Sequence, residues 1–149
     1  MSKISRPRPR SRCPLNASVE ILGDRWSLLI IRDMMLRGAK TFKDFLKCDE
    51  GIATNILAGR LRKLVDYGIL TVRADPSDGR TRIYRLSDKG IDLAPVLTEM
   101  VLWAAAHEDV GNQELARLMN QDKRKFIAGI IRRWAEDGKP PTKARAKVA

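Results

Sequence analysis

Apolar residues along this chain fall into two rhythms, and the switch between them sets the predicted architecture. From Pro14 the spacing is helical: Leu15, Val19 and Leu22, with Ile21 beside them, line one side of a first helix. After Gly23 a second helical pattern runs through Trp26, Leu29, Ile30 and Met34, with Asp24 placed to cap its start and Gly38 to end it. A short segment, TFKDFLKCD (41–49), and a glycine-marked turn, EGIA, lead to TNILAGRLRKLVDYG (54–68). There Leu57, Leu61 and Leu64 stand at i, i+4 and i+7, with Ile56 and Val65 alongside. The period then drops to two. In ILTVRA, Leu70 and Val72 alternate with Thr71 and Arg73; in RTRIYRLS, Tyr84 and Leu86 alternate with Ile83 and Arg85. Between them DPSDG favours a tight reversal. Helical spacing returns after SDKG (87–90), a turn or helix start, through Leu93, Leu97, Met100, Val101 and Ala104, with Pro95 in the first turn where proline is tolerated. A break is expected at 109–112. One last amphipathic helix over 113–136 then carries Leu115, Leu118, Met119, Phe126, Ile127, Ile130, Ile131 and Trp134, and GKPP (138–141) stops it.

The predicted order is four helices, a hairpin and two helices: a mainly α fold with a β-hairpin wing. Two helices across a glycine turn, followed by an arginine-tipped ribbon, make a winged helix-turn-helix, which sets one helix in a major groove and a loop beside it. If the leucine stripe of 54–67 faces the core, the opposite side presents Asn55, Ala58, Gly59, Arg62 and Asp66, with Arg60 and Lys63 on the flanks. Ala58 and Gly59 are small enough to let the helix approach base edges. Asn55 can pair with adenine and Arg62 with guanine. Thr54 is a candidate N-cap whose neighbouring amides would point toward a phosphate. In the ribbon, Arg80 and Arg82 stand at or beside the tip with Arg73 on the facing strand, suited to a phosphate or a narrow minor groove. The plainer reading is a solvated helix face and a solvated turn; the succession of both features weighs toward DNA.

Charge changes that picture only in part. Of the net charge of +11, the cations of residues 1–12 (Lys3, Arg6, Arg8, Arg10, Arg12) and 139–149 (Lys139, Lys143, Arg145, Lys147) account for +9, which leaves +2 for the body. Two basic, disordered arms that add sequence-independent affinity are expected, flanking a winged domain with dimerisation helices (13–108) and an additional helix (109–138). With 149 residues and 44% hydrophobic content, one core is the expectation. Two cysteines without a CxxC spacing and a single histidine, His107, argue against a zinc site and against a secreted disulfide framework. No run approaches a membrane span, and Arg-Pro alternation at the start forbids the amphipathic helix of a transit peptide, so a cytoplasmic protein is expected. One histidine, no Gly-rich phosphate loop and no paired nucleophile and base leave nothing to carry a reaction; neither enzyme activity nor a cofactor is expected.

The run from Cys13 to about Glu108 resembles the HxlR-type regulators, a branch of the MarR-like winged-helix transcription factors. Three separated motifs carry the resemblance in order: CPLNASVEILGDRWSLLII, GIATNILAGRLRKLVDYGIL and the wing DGRTRIYRLSDKG. It implies a homodimer on a pseudo-palindromic DNA operator, regulating nearby genes, with repression the expected mode. The N-terminal helix and the long helix after the wing would form the interface. The apolar stripes at 93–104 and 115–134 point the same way, carrying more apolar surface than a small winged unit covers. Family members commonly have serine just before the recognition helix; here Ala53 precedes Thr54. The last helix and both tails exceed the usual family length. Cys13 matches the cysteine with which many members detect electrophiles or oxidants. Arg10, Arg12 and a following helix start would favour its thiolate, while the plainer reading packs it under the dimer interface. Cys48 is expected to be buried and inert. A small-molecule inducer is the alternative trigger: Trp26, Trp103, Trp134, Met34, Met35 and Met100 could line a cavity, although such residues are more often plain core. The competing function is an architectural, nucleoid-type protein holding DNA through its basic arms.

Overall fold

The computed structural model describes residues 7–135. The first six residues of the expected basic arm, the GKPP stop and the whole basic tail lie outside the described residues. Helix α1 (Pro14–Leu22) begins with proline in its first turn, and α2 (Arg25–Arg32) starts at Asp24, whose carboxylate accepts the amides of Trp26 and Ser27. Helix α2 runs on into a π-helical turn (Asp33–Arg37) that ends at Gly38, whose φ of 71° permits the left-handed stop. Thr41 and Asp44 form a reciprocal capping box on the short α3 (Phe42–Leu46). Gly51, at φ 69°, turns the chain into α4 (Thr54–Asp66). Strands β1 (Leu70–Ala74) and β2 (Arg82–Leu86) pair antiparallel with Val72 opposite Tyr84. Then follow α5 (Asp88–Ile91), capped by Ser87, and α6 (Ala94–His107), with Pro95 in its first turn.

The core gathers Ile31, Met34, Met35, Phe45, Leu57, Leu61, Leu64 and Leu70, all fully buried. Residue types that the stripes put on one side of α2 and α4 therefore meet across the helix-turn-helix. The hairpin departs from clean alternation: Leu70 and Leu86 are buried at its base, but Val72 is 40% exposed. The wing projects beyond the core, so only its root has an apolar surface to rest on. It is anchored sideways instead, by the Tyr84 amide donating to the Lys40 carbonyl at 2.8 Å and by a bridge between Thr41 and Ile83. The reversal is a loop over 75–81, organised by Asp75 and Asp78 carboxylates that accept the Ser77 and Arg80 amides.

The expected single helix over 113–136 is two: α7 (Gln113–Gln121) and α8 (Lys123–Ala135). Asp122 breaks it at φ −152°, ψ 83°, and its carboxylate takes the Lys125 amide at 3.0 Å. A helix-capping side chain there outcompetes one more turn of uninterrupted hydrogen bonds. The stripe's destination also differs. Leu115, Met119, Phe126, Ile130 and Trp134 are buried within the same chain, closing over α6, α5 and the π-helical turn. Arg133 donates to the Met35 carbonyl at 2.9 Å, and Arg85 of β2 donates to the Trp134 carbonyl at 3.3 Å. Most of the apolar surface of 115–134 is thus covered by the chain itself, with Ile131 left 40% exposed, so this stripe as a whole no longer argues for a dimer. Apolar side chains left outside concentrate on α1 and α6: Leu15 (72% exposed), Val19, Val96, Met100 and Trp103 (60%). Among the described residues no helix is long and apolar enough to cross a membrane.

Candidate nucleic-acid interface

Burial of Leu57, Leu61 and Leu64 fixes the rotation of α4, and with it the outward side. Thr54, Asn55, Ala58, Gly59 and Arg62 are all exposed there. A Cβ built on Gly59 would meet nothing within 4 Å. Nothing in the fold itself therefore requires glycine at this mid-helix position, where it weakens the helix. Thr54 is not the N-cap. Ala53 occupies that position with extended backbone, and Thr54 is the first helical residue, so no side chain caps the start of α4.

The wing stands beside α4 and leaves a groove of about 430 Å³ lined by Phe42, Ala58, Leu61, Arg62, Val65, Val72, Arg82 and Tyr84. The fold therefore brings Ala58, Arg62 and Arg82 onto one concave surface. On the other flank of the wing a second concavity of about 370 Å³ is formed by Thr41, Phe42, Lys43, Arg80, Thr81, Arg82 and Tyr84. Arg73 is exposed on β1 opposite Ile83 but lines neither concavity. Lys43 and Tyr84 were not among the residues expected from sequence. The capping box of α3 was legible as a helix start that puts Lys43 in the first turn; only the fold brings that turn beside the wing. Tyr84 read only as one apolar member of a strand. Its ring packs edge-on against Phe45, centroids 6.2 Å apart, and burial raises its hydroxyl pKa against the pull of Arg82.

Two expected contacts are placed differently. Arg60 and Lys63 turn their charged ends onto Asp24, with Arg60 Nε 2.9 Å from Oδ1 and Lys63 Nζ 3.3 Å from Oδ2. Ser27 Oγ donates to the same carboxylate at 2.6 Å. Burial opposes ionisation of Asp24, but the hydrogen bonds from Ser27 and Lys63 and the charge of Arg60 outweigh it and hold its pKa below the ordinary value. Sequence spacing put these cations on the flanks of the helix; it could not say that an acid 36 and 39 positions earlier would meet them.

A second charge network steadies the approach to α4. Arg32 grips Glu50, just ahead of the Gly51 turn, with both terminal guanidinium nitrogens and reaches Asp33 at 2.7 Å. The Arg32 hydrogen bonds hold Glu50 at a pKa of about 2 against partial burial. Asp33, 3% exposed, goes the other way: burial raises its pKa despite Arg32 and Arg37.

Cys13 is exposed and free at the N-cap position of α1, while Cys48 is buried beneath α3. The six aromatic and methionine residues do not converge on one cavity. Met34, Met35 and Trp134 are core, whereas Met100 and Trp103 face outward. Of the six, only Met100 borders the open cleft of about 550 Å³ between α2, α6 and α7.

Comparison with known proteins agrees with this geometry. The family described as HxlR-like helix-turn-helix matches residues 21–112, a span that ends before α7 and α8. The HTH-type transcriptional regulator YodB of Bacillus subtilis is 34% identical over 93 residues, which is 62% of this chain and 82% of YodB. The structure of PA1607, a candidate transcription factor, superposes with a TM-score of 0.62 at 35% identity, over 69% of this chain and 70% of that one. Reduced YodB gives 0.54 at 31% identity, over 66% of this chain and 97% of that one, and YodB has also been solved after diamide treatment.

Proposed function

This chain belongs to the HxlR-like helix-turn-helix family of transcriptional regulators, and on that premise we propose that it represses transcription by binding a pseudo-palindromic operator as a homodimer. The observation that carries the reading is the exposed outer side of α4 beside an arginine-bearing wing. Asn55 and Arg62 read base edges, Ala58 and Gly59 allow the close approach, and Arg80 and Arg82 hold the backbone next to the groove. Thr54 and Arg73 lie exposed on the same two elements and add contacts to the backbone.

Dimerisation is supported by α6, which is apolar on its exposed side as well as its buried one, and by α1, whose Leu15 and Val19 stay 72% and 56% exposed among the described residues. A two-fold axis through these helices would present two recognition helices to successive major-groove segments. Cys13, exposed at the start of α1, is placed so that an electrophile or oxidant acting there would alter that interface.

Footprinting on the promoter beside the protein's own gene, with sedimentation of the free protein, tests this reading. A protected two-fold site and a dimer at micromolar concentration are expected. Equal affinity for operator and random DNA would favour an architectural protein, and a stable monomer would remove the basis for palindromic recognition.

A further inference from the structure

The tie between Asp24 and the recognition helix has a consequence for how the protein discriminates DNA sequences. We propose that Asp24 is an internal counter-ion that withholds two recognition-helix cations from the DNA backbone and so limits sequence-independent binding. The inference rests on the DNA-binding reading above.

Asp24 does two jobs with one carboxylate. Oδ1 accepts the Trp26 and Ser27 amides at the start of α2, at 3.1 and 2.9 Å, and the same group faces Arg60 and Lys63 from α4. Capping α2 needs only a hydrogen-bond acceptor, which asparagine supplies about as well as aspartate. Holding two cations needs the negative charge. The side chains of Arg60 and Lys63 are 35% and 25% exposed, so although Arg60 Nε itself is buried, both side chains reach the protein–water boundary, where a phosphate can compete for them. Both residues directly follow outward-facing positions, Gly59 and Arg62, on the same helix. Released, they lie on the flank of the reading surface, within reach of the strands bordering a major groove.

Phosphate contacts carry no sequence information, and each one steepens the salt dependence of binding by about 0.9 in log K against log salt. On an operator, base contacts fix the pose of α4. On random DNA the helix is free to settle wherever it gains most phosphate contacts. Cations released from Asp24 would therefore strengthen random binding more than operator binding, and the margin between the two would narrow.

The test measures affinity for an operator duplex and a random duplex of equal length across a salt series. It compares the full-length wild-type chain, Asp24→Asn, and Asp24→Asn carrying Arg60→Gln and Lys63→Gln. For Asp24→Asn, random-duplex affinity at 0.1 M salt should rise roughly tenfold or more, with the slope steeper by about 1 to 2. Adding the two glutamines should return the slope to the wild-type value. An unchanged slope in Asp24→Asn overturns the proposal and leaves Asp24 as a cap. Should that variant fold poorly, Arg60→Gln with Lys63→Gln in the otherwise wild-type chain decides alone. An unaltered random-duplex slope supports the proposal, and a slope shallower by about 1 or more overturns it, because the cations would then already be on DNA. If the wild-type chain shows no preference for operator, the DNA-reading function fails instead, which is a separate result.

Discussion

Gly59→Ala separates folding from DNA reading at a single methyl group. Among the described residues the new Cβ meets no heavy atom within 4 Å beyond its chain neighbours and its own helix backbone, and Gly59 lies mid-way along α4 with ordinary helical backbone. Replacing an exposed mid-helix glycine by alanine should stabilise the fold by about 0.5–1 kcal/mol, through helix propensity and a less flexible unfolded chain. For a domain of this length that is a rise in Tm of about 2–4 °C per kcal/mol. Against DNA the sign reverses. If Gly59 faces base edges at close range, the methyl pushes α4 outward and weakens the neighbouring contacts of Asn55 and Arg62. Losing one well-made base contact costs about 1–3 kcal/mol, which is roughly a 5- to 150-fold loss in operator affinity. Random-duplex binding, held by phosphates, should change little. Thermal melting and fluorescence anisotropy on the two duplexes read both quantities. A variant that melts higher and binds operator as tightly as the parent would refute the placement of this face against the bases.

Arg62→Ala should cost about 1–3 kcal/mol of preference for operator over random DNA, whereas Arg82→Ala should weaken both duplexes alike and lower the salt slope by about 1 in titrations at several ionic strengths. Trp134→Ala should cost about 3–5 kcal/mol in urea unfolding, because Trp134 is 2% exposed and closes α8 over the core. Acid stability should follow Glu50. Held by Arg32 at about 2, below its ordinary 4.5, it contributes stability that is complete above the ordinary value and is lost as pH falls toward 2. Buried Asp33, with its raised pKa, acts in the opposite sense and regains stability on protonation. Urea midpoints between pH 5 and 2 should therefore fall less steeply in Glu50→Gln than in the parent, and identical slopes would remove the Arg32 bridge as a contributor. Diamide should lower operator affinity in the parent and much less in Cys13→Ser; equal sensitivity would leave Cys13 without a sensing role.

What the sequence revealed, and what it hid, divides by the range of the interaction. Helix periodicity is local, so the spacing of Leu57, Leu61 and Leu64 is enough to set the rotation of α4, and with it the outward set Asn55, Ala58, Gly59 and Arg62. The caps at Asp24 and Gly38 were legible for the same reason. The partner of a charge is not local. Periodicity put Arg60 and Lys63 on the flanks of the reading side but could not show that the fold sets Asp24 against them. Asp122 carried a capping signal that a continuous apolar stripe concealed.

The destination of that stripe matters most for the quaternary argument. A stripe of Leu115, Met119, Phe126, Ile130 and Trp134 reads the same whether it faces a second subunit or its own chain, because periodicity specifies a buried side and never its partner. Once α7 and α8 are seen to cover their own chain, the case for a dimer rests on α1 and α6 alone. It is narrower and sharper there. Leu15 and Trp103, at 72% and 60% exposed, are the largest apolar side chains left in water on those helices, and a single acidic substitution at either should separate subunits without touching the core. Trp103→Glu that sediments as a folded monomer and loses operator binding would tie palindromic recognition to this surface. A dimer unaffected by Trp103→Glu and by Leu15→Asp would mean that the two subunits meet elsewhere.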